Sequence, residues 1–380
     1  MSSTATIPTA APTLPTGDTR STVKYPAHSP LWVELNRRVN AYFEAHGTGT
    51  DGGLRIRFKS AVIITWLVAS YVGLVFFAET WWQVLPLGIS LSLAVAGVGF
   101  NIQHDGGHDA YAKTRRINRM TAWTLDMVGG SSYVWRHKHS VIHHYYTNID
   151  GVDEDIDCAP FMRLSPQQPR RWAHRFQHVY AWPLFGFLLP KWAFYDDFVS
   201  VFTGRVGSQT IPRPRGSDLF LFVLGKLLFV SWVFAVPLLV GHSVGHVLAV
   251  YGFCALVTGI CISIVFQSAH CVEEAEFPSA PVAGERMPRG WAEHQLATTV
   301  DFAPKNPLLT WYLGGLTHQI EHHLFPRISH VHYAALAPIV RETCAEFGVA
   351  HRTHPHFRNA IASHMRHLYR LGRPTSVATA

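Results

Sequence analysis

Four stretches of about twenty apolar residues dominate the hydropathy pattern, at roughly 60–79, 84–103, 217–240 and 245–267. Each is close to the ~20 residues that cross a bilayer as a helix, so four transmembrane helices are expected. The connectors at 80–83 and 241–244 are very short, which folds the segments into two hairpins. Ahead of them Leu31, Val33, Leu35, Val39, Tyr42 and Phe43 recur at helical spacing and predict an amphipathic helix on or near the membrane. A further apolar piece, about 179–198, is interrupted by Pro183, Pro190, Lys191, Asp196 and Asp197. It reads as an interfacial or re-entrant element rather than a fifth crossing. Residues 1–30, rich in Thr, Ala, Pro and Ser, read as a disordered segment. They lack the basic start and apolar core of a secretory signal, so no cleavage is expected. Residues 31–373 then form one unit and 374–380 a short tail.

Composition supports a membrane chain. Charged residues make up 15% of the 380, against ~25% in typical soluble domains. The 13% of aromatics, with 12 Trp and 23 Phe, suits an interfacial belt. The net charge of +7 comes without a long basic tract or a nucleic-acid motif, so no nucleic-acid partner is expected. Its placement is informative instead. Arg55, Arg57 and Lys59 precede the first span, Lys113, Arg115, Arg116 and Arg119 follow the second, and Arg213 and Arg215 precede the third. Neither hairpin connector carries Lys or Arg. This asymmetry puts both termini and the 104–216 segment in the cytosol. Lys226, inside the third span, is expected to snorkel toward the cytosolic interface. The five cysteines show no metal or disulfide spacing.

The 24 histidines nearly match the 25 Asp plus Glu, and they cluster. His104 and His108 follow the second span with Gly106 and Gly107 between them, a costly pair in a helix unless something approaches the backbone closely. His139 and His143 repeat the i, i+4 spacing, and His144 extends that face. In the third cluster Gln319 and His318 reach the His322/His323 face at i+3 and i+4. His270 lies at the same end of the fourth span. A lone histidine is ordinarily a satisfied polar residue, as His137, His174, His178, His330 and His332 are read here, with His294 the first exception to look for. Three clusters on one side of a membrane are a metal site. Eight or nine imidazoles exceed the four ligands of a structural zinc and suit two first-row ions, iron if oxygen chemistry is involved. Asp105, Asp109 and Glu321 are the carboxylates expected to receive the outer N–H groups of these imidazoles. The acidic run from Asp153 to Asp157 reads as a solvated loop. The fold class is therefore all-α, a polytopic membrane protein with two helical hairpins and a cytosolic helical cap holding a di-metal site.

At these clusters the sequence closely resembles the membrane fatty acid desaturase family. HDGGHDA at 104–110, HKHSVIHHYYTN at 137–148 and GGLTHQIEHHLFP at 314–326 are similar to its three histidine boxes, in order. The likeness extends over VFQSAHCVEEAEFP at 265–278 and WAEHQLATTVDFAP at 291–304, and from about Leu31 to Arg373. The QIEHH form is similar to the front-end branch, the linoleoyl-CoA or delta-5/delta-6 desaturases. The resemblance implies di-iron ligation by His104, His108, His139, His143, His144, His270, His322 and His323, with Gln319 in the ninth place and His318 its neighbouring competitor. It also implies O2 as co-substrate and a fatty-acyl substrate carried as acyl-CoA or membrane lipid, in a bacterial cytoplasmic membrane. Many front-end members carry a fused cytochrome b5 domain. This chain has no HPGG haem motif, so a separate ferredoxin- or cytochrome b5-like donor with its reductase is expected. Trp135 and Tyr133 are read as packing residues, with tunnel lining as the alternative. An acyl hydroxylase or acetylenase would use the same scaffold. A histidine-rich metal transporter is the competitor of another class, but its ionisable groups belong within the spans rather than at their ends.

Overall fold

Lipid offers no partners to backbone polar groups, so a spanning segment has to satisfy them internally, as a helix does. The computed structural model describes residues 23–282 and 285–374, and among them four helices are long and apolar enough to cross a membrane. They run Gly53–Phe77, Trp81–Gly107, Ser217–Val240 and Val244–His270, with mean hydropathies of 1.7 to 2.4. Polar side chains inside them find partners within their own helix or on its neighbours, as Ser70 does with Ser90 of the second span at 2.8 Å. Ser60 and Ser92 donate to the carbonyls of Ile56 and Gly88 one turn back, at 2.8 and 2.7 Å. Gly241, at φ 109°, closes the second hairpin in a conformation that suits glycine alone.

The second span is central and packs against both the first and the fourth, whereas the third leans on the short helix Thr124–Met127. Val68, Phe76, Leu227, Leu239 and Leu248 stay exposed along the spans. A contiguous apolar surface of this kind fits a lipid environment rather than water. Trp81 and Trp82 stand exposed at the start of the second span, where an aromatic belt belongs.

Three of the helices outrun the apolar stretches read from the sequence, the first by starting at Gly53, so that Arg55, Arg57 and Lys59 lie on it rather than before it. The second continues to Gly107 and the fourth to His270, so the first histidine cluster and His270 ride on span ends. A cap of shorter helices closes over those ends. Leu31, Leu35, Val39 and Phe43 from Pro30–His46 are buried with Leu336 and Val340 from Tyr333–Glu346, whereas Val33, counted with that face in the sequence, lies two residues from Leu31 on the other side of the helix and is exposed. Two parallel strands of two residues each, Asp301–Phe302 and Thr353–His354, tie the third-cluster region to the C-terminal part.

Two expectations change and one holds. Residues 1–22 and 375–380 lie outside the described residues, but the end of the 1–30 segment packs rather than dangling. Val23 and Tyr25 are buried, and the Tyr25 hydroxyl donates to the Tyr145 carbonyl at 2.8 Å. The 179–198 piece keeps its expected interruption, forming Gln177–Phe185 and then Leu188–Lys191 and Asp197–Thr203 joined by the π-helical turn Trp192–Asp196, none of crossing length. Pro183 and Pro190 lie within the first two. Lys226 does not snorkel. Its Nζ is buried on Asp197 at 2.7 Å and on the carbonyls of Gly129 and Ala193 at 2.7 and 3.1 Å. A carboxylate inside the fold gives the ammonium a partner that the interface would otherwise supply.

Candidate metal centre

Each histidine cluster reaches the site by a different local device. The first sits on the end of the second span, after a π-helical turn at Gly99–Gln103. A side chain at Gly107 would run into the Trp135 ring, and one at Gly106 into Thr121 and the Ala122 backbone. The two glycines therefore let helix Arg115–Ala122 and Trp135 close on the cluster, the close approach that their cost anticipates. The second cluster lies on a π-helical stretch, Arg136–His143. Bonding from i to i+5 widens the turn, so that His139 faces both His143 and His144, four and five residues on. The His139 and His144 Nε2 atoms are 3.3 Å apart. His322 and His323 lie on the buried helix Gln319–Leu324.

These elements bring eight imidazoles together. Candidate ligand nitrogens of His104, His108, His139 and His322 lie within 4.8 Å of one another, and so do those of His143, His270 and His323. His144 stands between the groups, with ring centroids 4.5 Å from His322 and 4.2 Å from His323. All eight are buried.

Their hydrogen bonding is asymmetric. His143 Nδ1 donates to Asp153 at 3.0 Å, His139 Nδ1 to Asp155 at 3.4 Å, and His323 Nδ1 to the Gln295 side-chain oxygen at 3.0 Å. His270 Nδ1 meets the Thr298 carbonyl at 3.4 Å and His322 Nδ1 the Tyr333 hydroxyl at 3.1 Å. The other nitrogens behave differently. Nε2 of His108, His143, His270, His322 and His323 is buried with no hydrogen-bond partner. Five buried imidazole lone pairs left empty would each cost about 1–3 kcal/mol. In His143, His270, His322 and His323 the outer nitrogen is anchored and the inner one free, the arrangement of metal ligands, and the eight residues fit a pair of metal ions.

Electrostatics agree. Burial holds His108, His144, His322 and His323 well below their ordinary pKa, and neighbouring imidazoles push the same way. They are neutral at pH 7, the form that binds metal. Burial, the largest single influence, lowers His143, but Asp153 and Asp155 together carry the net shift upward. Asp155 opposes its own burial through Lys138, 3.2 Å away, and His139, and is held well below the usual carboxylate range.

The remaining candidates land elsewhere. His318 is buried, yet its ring lies 3.8 Å from Glu321 and both its nitrogens are unpartnered. Gln319 is buried on the same helix as His322. None of the three carboxylates named from the sequence holds one of the eight imidazoles. Asp105 accepts from Ser329 at 2.7 Å and pairs with His330 at 3.0 Å. Asp109, at φ 59°, is exposed and 4.0 Å from Arg136. Glu321 faces His351 at 3.2 Å. The carboxylates that do hold imidazoles come from the acidic run read as a solvated loop. Asp153 is 2% exposed, fixed by the backbone N–H groups of Asn148 and Asp155 at 2.8 and 3.0 Å. A carboxylate ten residues from its histidine leaves no periodic trace. Gln295 and Tyr333 are single residues on ordinary helices and leave none either. His294, the suspected exception, is satisfied by the Thr147 carbonyl at 2.9 Å. Trp135 stacks on His139 with centroids 4.5 Å apart, a packing role against the site itself.

Comparison with known proteins is consistent with this geometry. The family model described as fatty acid desaturase matches residues 79–355. The chain is 38% identical over 330 residues to an sn-1 linoleoyl-lipid 6-desaturase of Arthrospira platensis, covering 87% of this chain and 89% of that protein. It is 37% identical over 340 residues to the protein of the same description from Synechocystis sp., covering 89% and 94%. An acyl-lipid (8-3)-desaturase of Physcomitrium patens is 37% identical over 345 residues, covering 90% and 72%. A histidine cluster suited to two metal ions, set on a four-helix membrane scaffold, is thus joined by family-level similarity across most of the chain, and the chain belongs to the fatty acid desaturase family.

Proposed function

We propose that this desaturase uses O2 and two irons, held by His104, His108, His139, His143, His144, His270, His322 and His323, to place a cis double bond in the acyl chain of a membrane lipid. The observation that carries the reading is the set of buried, unpartnered inner nitrogens facing one another across three chain segments. His318 faces Glu321, which leaves Gln319, three residues before His322, for the ninth position.

Bound iron would supply, with O2, the oxidising power that removes hydrogen from unactivated methylenes, which no side chain supplies. The balance takes two hydrogens from adjacent carbons, two electrons from a separate carrier and two protons, and gives two waters. The protein's own residues orient and insulate. Asp153, Asp155, Gln295 and Tyr333 fix ring rotation and tautomer, so each inner nitrogen keeps its lone pair. Trp135 and Phe266 pack against the rings of His139 and His143 and keep that side dry. The relatives' lipid-linked substrates favour acyl-lipid over acyl-CoA. The Arg and Lys flanking the spans favour a cytosolic site in the cytoplasmic membrane.

The test is mass spectrometry of lipids from cells expressing the chain, with double bonds located chemically. A new cis double bond is expected with the native chain and none with His143→Ala or His322→Ala, each still inserted in the membrane. A hydroxylated product, or full activity in either variant, would overturn the reading.

A further inference from the structure

Behind the helix that carries His322 and His323 lies a second polar cluster. Asp301 and Glu321 are fully buried, and among the described residues no Lys or Arg comes within 4.0 Å of either. His351 Nε2 points between them, 3.2 Å from Glu321 Oε1 and 3.6 Å from Asp301 Oδ2. Its other ring nitrogen is 3.3 Å from the Thr353 hydroxyl, so the orientation is set from outside. Asp301 Oδ1 accepts the Ile320 N–H at 2.9 Å, while Asp301 Oδ2 and Glu321 Oε2 have no hydrogen-bond partner. His318, 3% exposed and with both ring nitrogens unpartnered, turns one of them toward Glu321 Oε2 at 3.8 Å.

We propose that Asp301, Glu321 and His351, with His318 at their edge, bind one divalent transition cation, a site separate from the imidazole cluster. Two facing carboxylates away from water must be neutralised, by a shared proton or by a cation, and a dication beside neutral imidazoles cancels both charges at once. The donor set of two carboxylates and two imidazoles is the kind that binds Zn2+, Fe2+ or Mn2+. The spacing fits as well. Tetrahedral bonds of about 2.0–2.1 Å put neighbouring donor atoms roughly 3.3 Å apart. The gaps of 3.2, 3.6 and 3.8 Å bracket that value, whereas the last two are too long for direct hydrogen bonds. Such an ion would clamp the Asp301–Phe302 and Thr353–His354 strands to helix Gln319–Leu324, fixing the segment from which His322 and His323 project.

The full-length protein in detergent micelles, stripped with a chelator and reloaded with Zn2+ alone, provides the test by elemental analysis per chain. The native protein is expected to take three ions, and Asp301→Asn and His351→Gln two each. Two ions in the native protein, unchanged in the variants, overturn this inference and leave the imidazole cluster intact. One ion that is lost in either variant upholds it and sinks the reading of the cluster instead. Should a variant fail to elute as a single species, the native count alone decides: three supports the site and two removes it.

Discussion

At the scale of single residues the centre is a matter of nitrogen atoms. An imidazole has one donor and one lone pair, and in His143 both are accounted for only if Asp153 takes the N–H and a cation takes the other side. Asp153→Asn can still accept that bond, but it removes the charge that raises His143 basicity. A loss of about 10- to 100-fold in metal affinity or activity is expected, read by metal competition on the purified protein. Asp126 offers an independent check away from the histidines. Burial pushes its pKa up to about 7, against ~3.9 in an unfolded chain. The folded state therefore binds more protons between those values, and stability falls as pH rises from about 4 to 7. Asp126→Asn should raise Tm above pH 7 and change it little at pH 4. A pH-independent effect would contradict the assignment. Residue identity alone showed which imidazoles to gather, since their types and spacings announced them. It did not show their supports, because Asp153 and Gln295 meet their histidines only through tertiary folding.

Among elements, the second-cluster segment departs most from expectation. The sequence set His139, His143 and His144 on one face, and the π-helical winding of Arg136–His143, which it did not show, is what lets His139 face both. Hydropathy found the spans and missed their ends, because His104 and His270 are polar residues on helices that simply continue. Lys226 was misread for a related reason. Its partner Asp197 belongs to a broken helix whose packing no local pattern reveals. The glycine pair is the most testable piece of local design. Gly107→Ala drives a methyl into the Trp135 ring and should cost about 1–3 kcal/mol. Gly99→Ala meets nothing within 4 Å and should leave stability nearly unchanged in detergent unfolding. Equal effects would show that Trp135 does not pack as described.

For the whole molecule, the hairpin arrangement decides everything that follows. Two short connectors return the chain to the side it left, so clusters more than two hundred residues apart in sequence, His104 and His322, end with ring centroids 4.4 Å apart. Four spans and three boxes in order were enough to expect this convergence. The first cap helix and the interruption near Pro183 and Pro190 were legible too, whereas the packing of the cap and the Asp301 cluster depend on contacts between distant segments and were not. X-ray absorption at the iron edge of the purified native protein tests the central claim most directly. A first shell dominated by imidazole nitrogen, with a second iron as neighbour, is predicted, and both features should be lost together in His143→Ala. Folded native protein that takes up no iron, or holds it without imidazole nitrogen, would contradict the account.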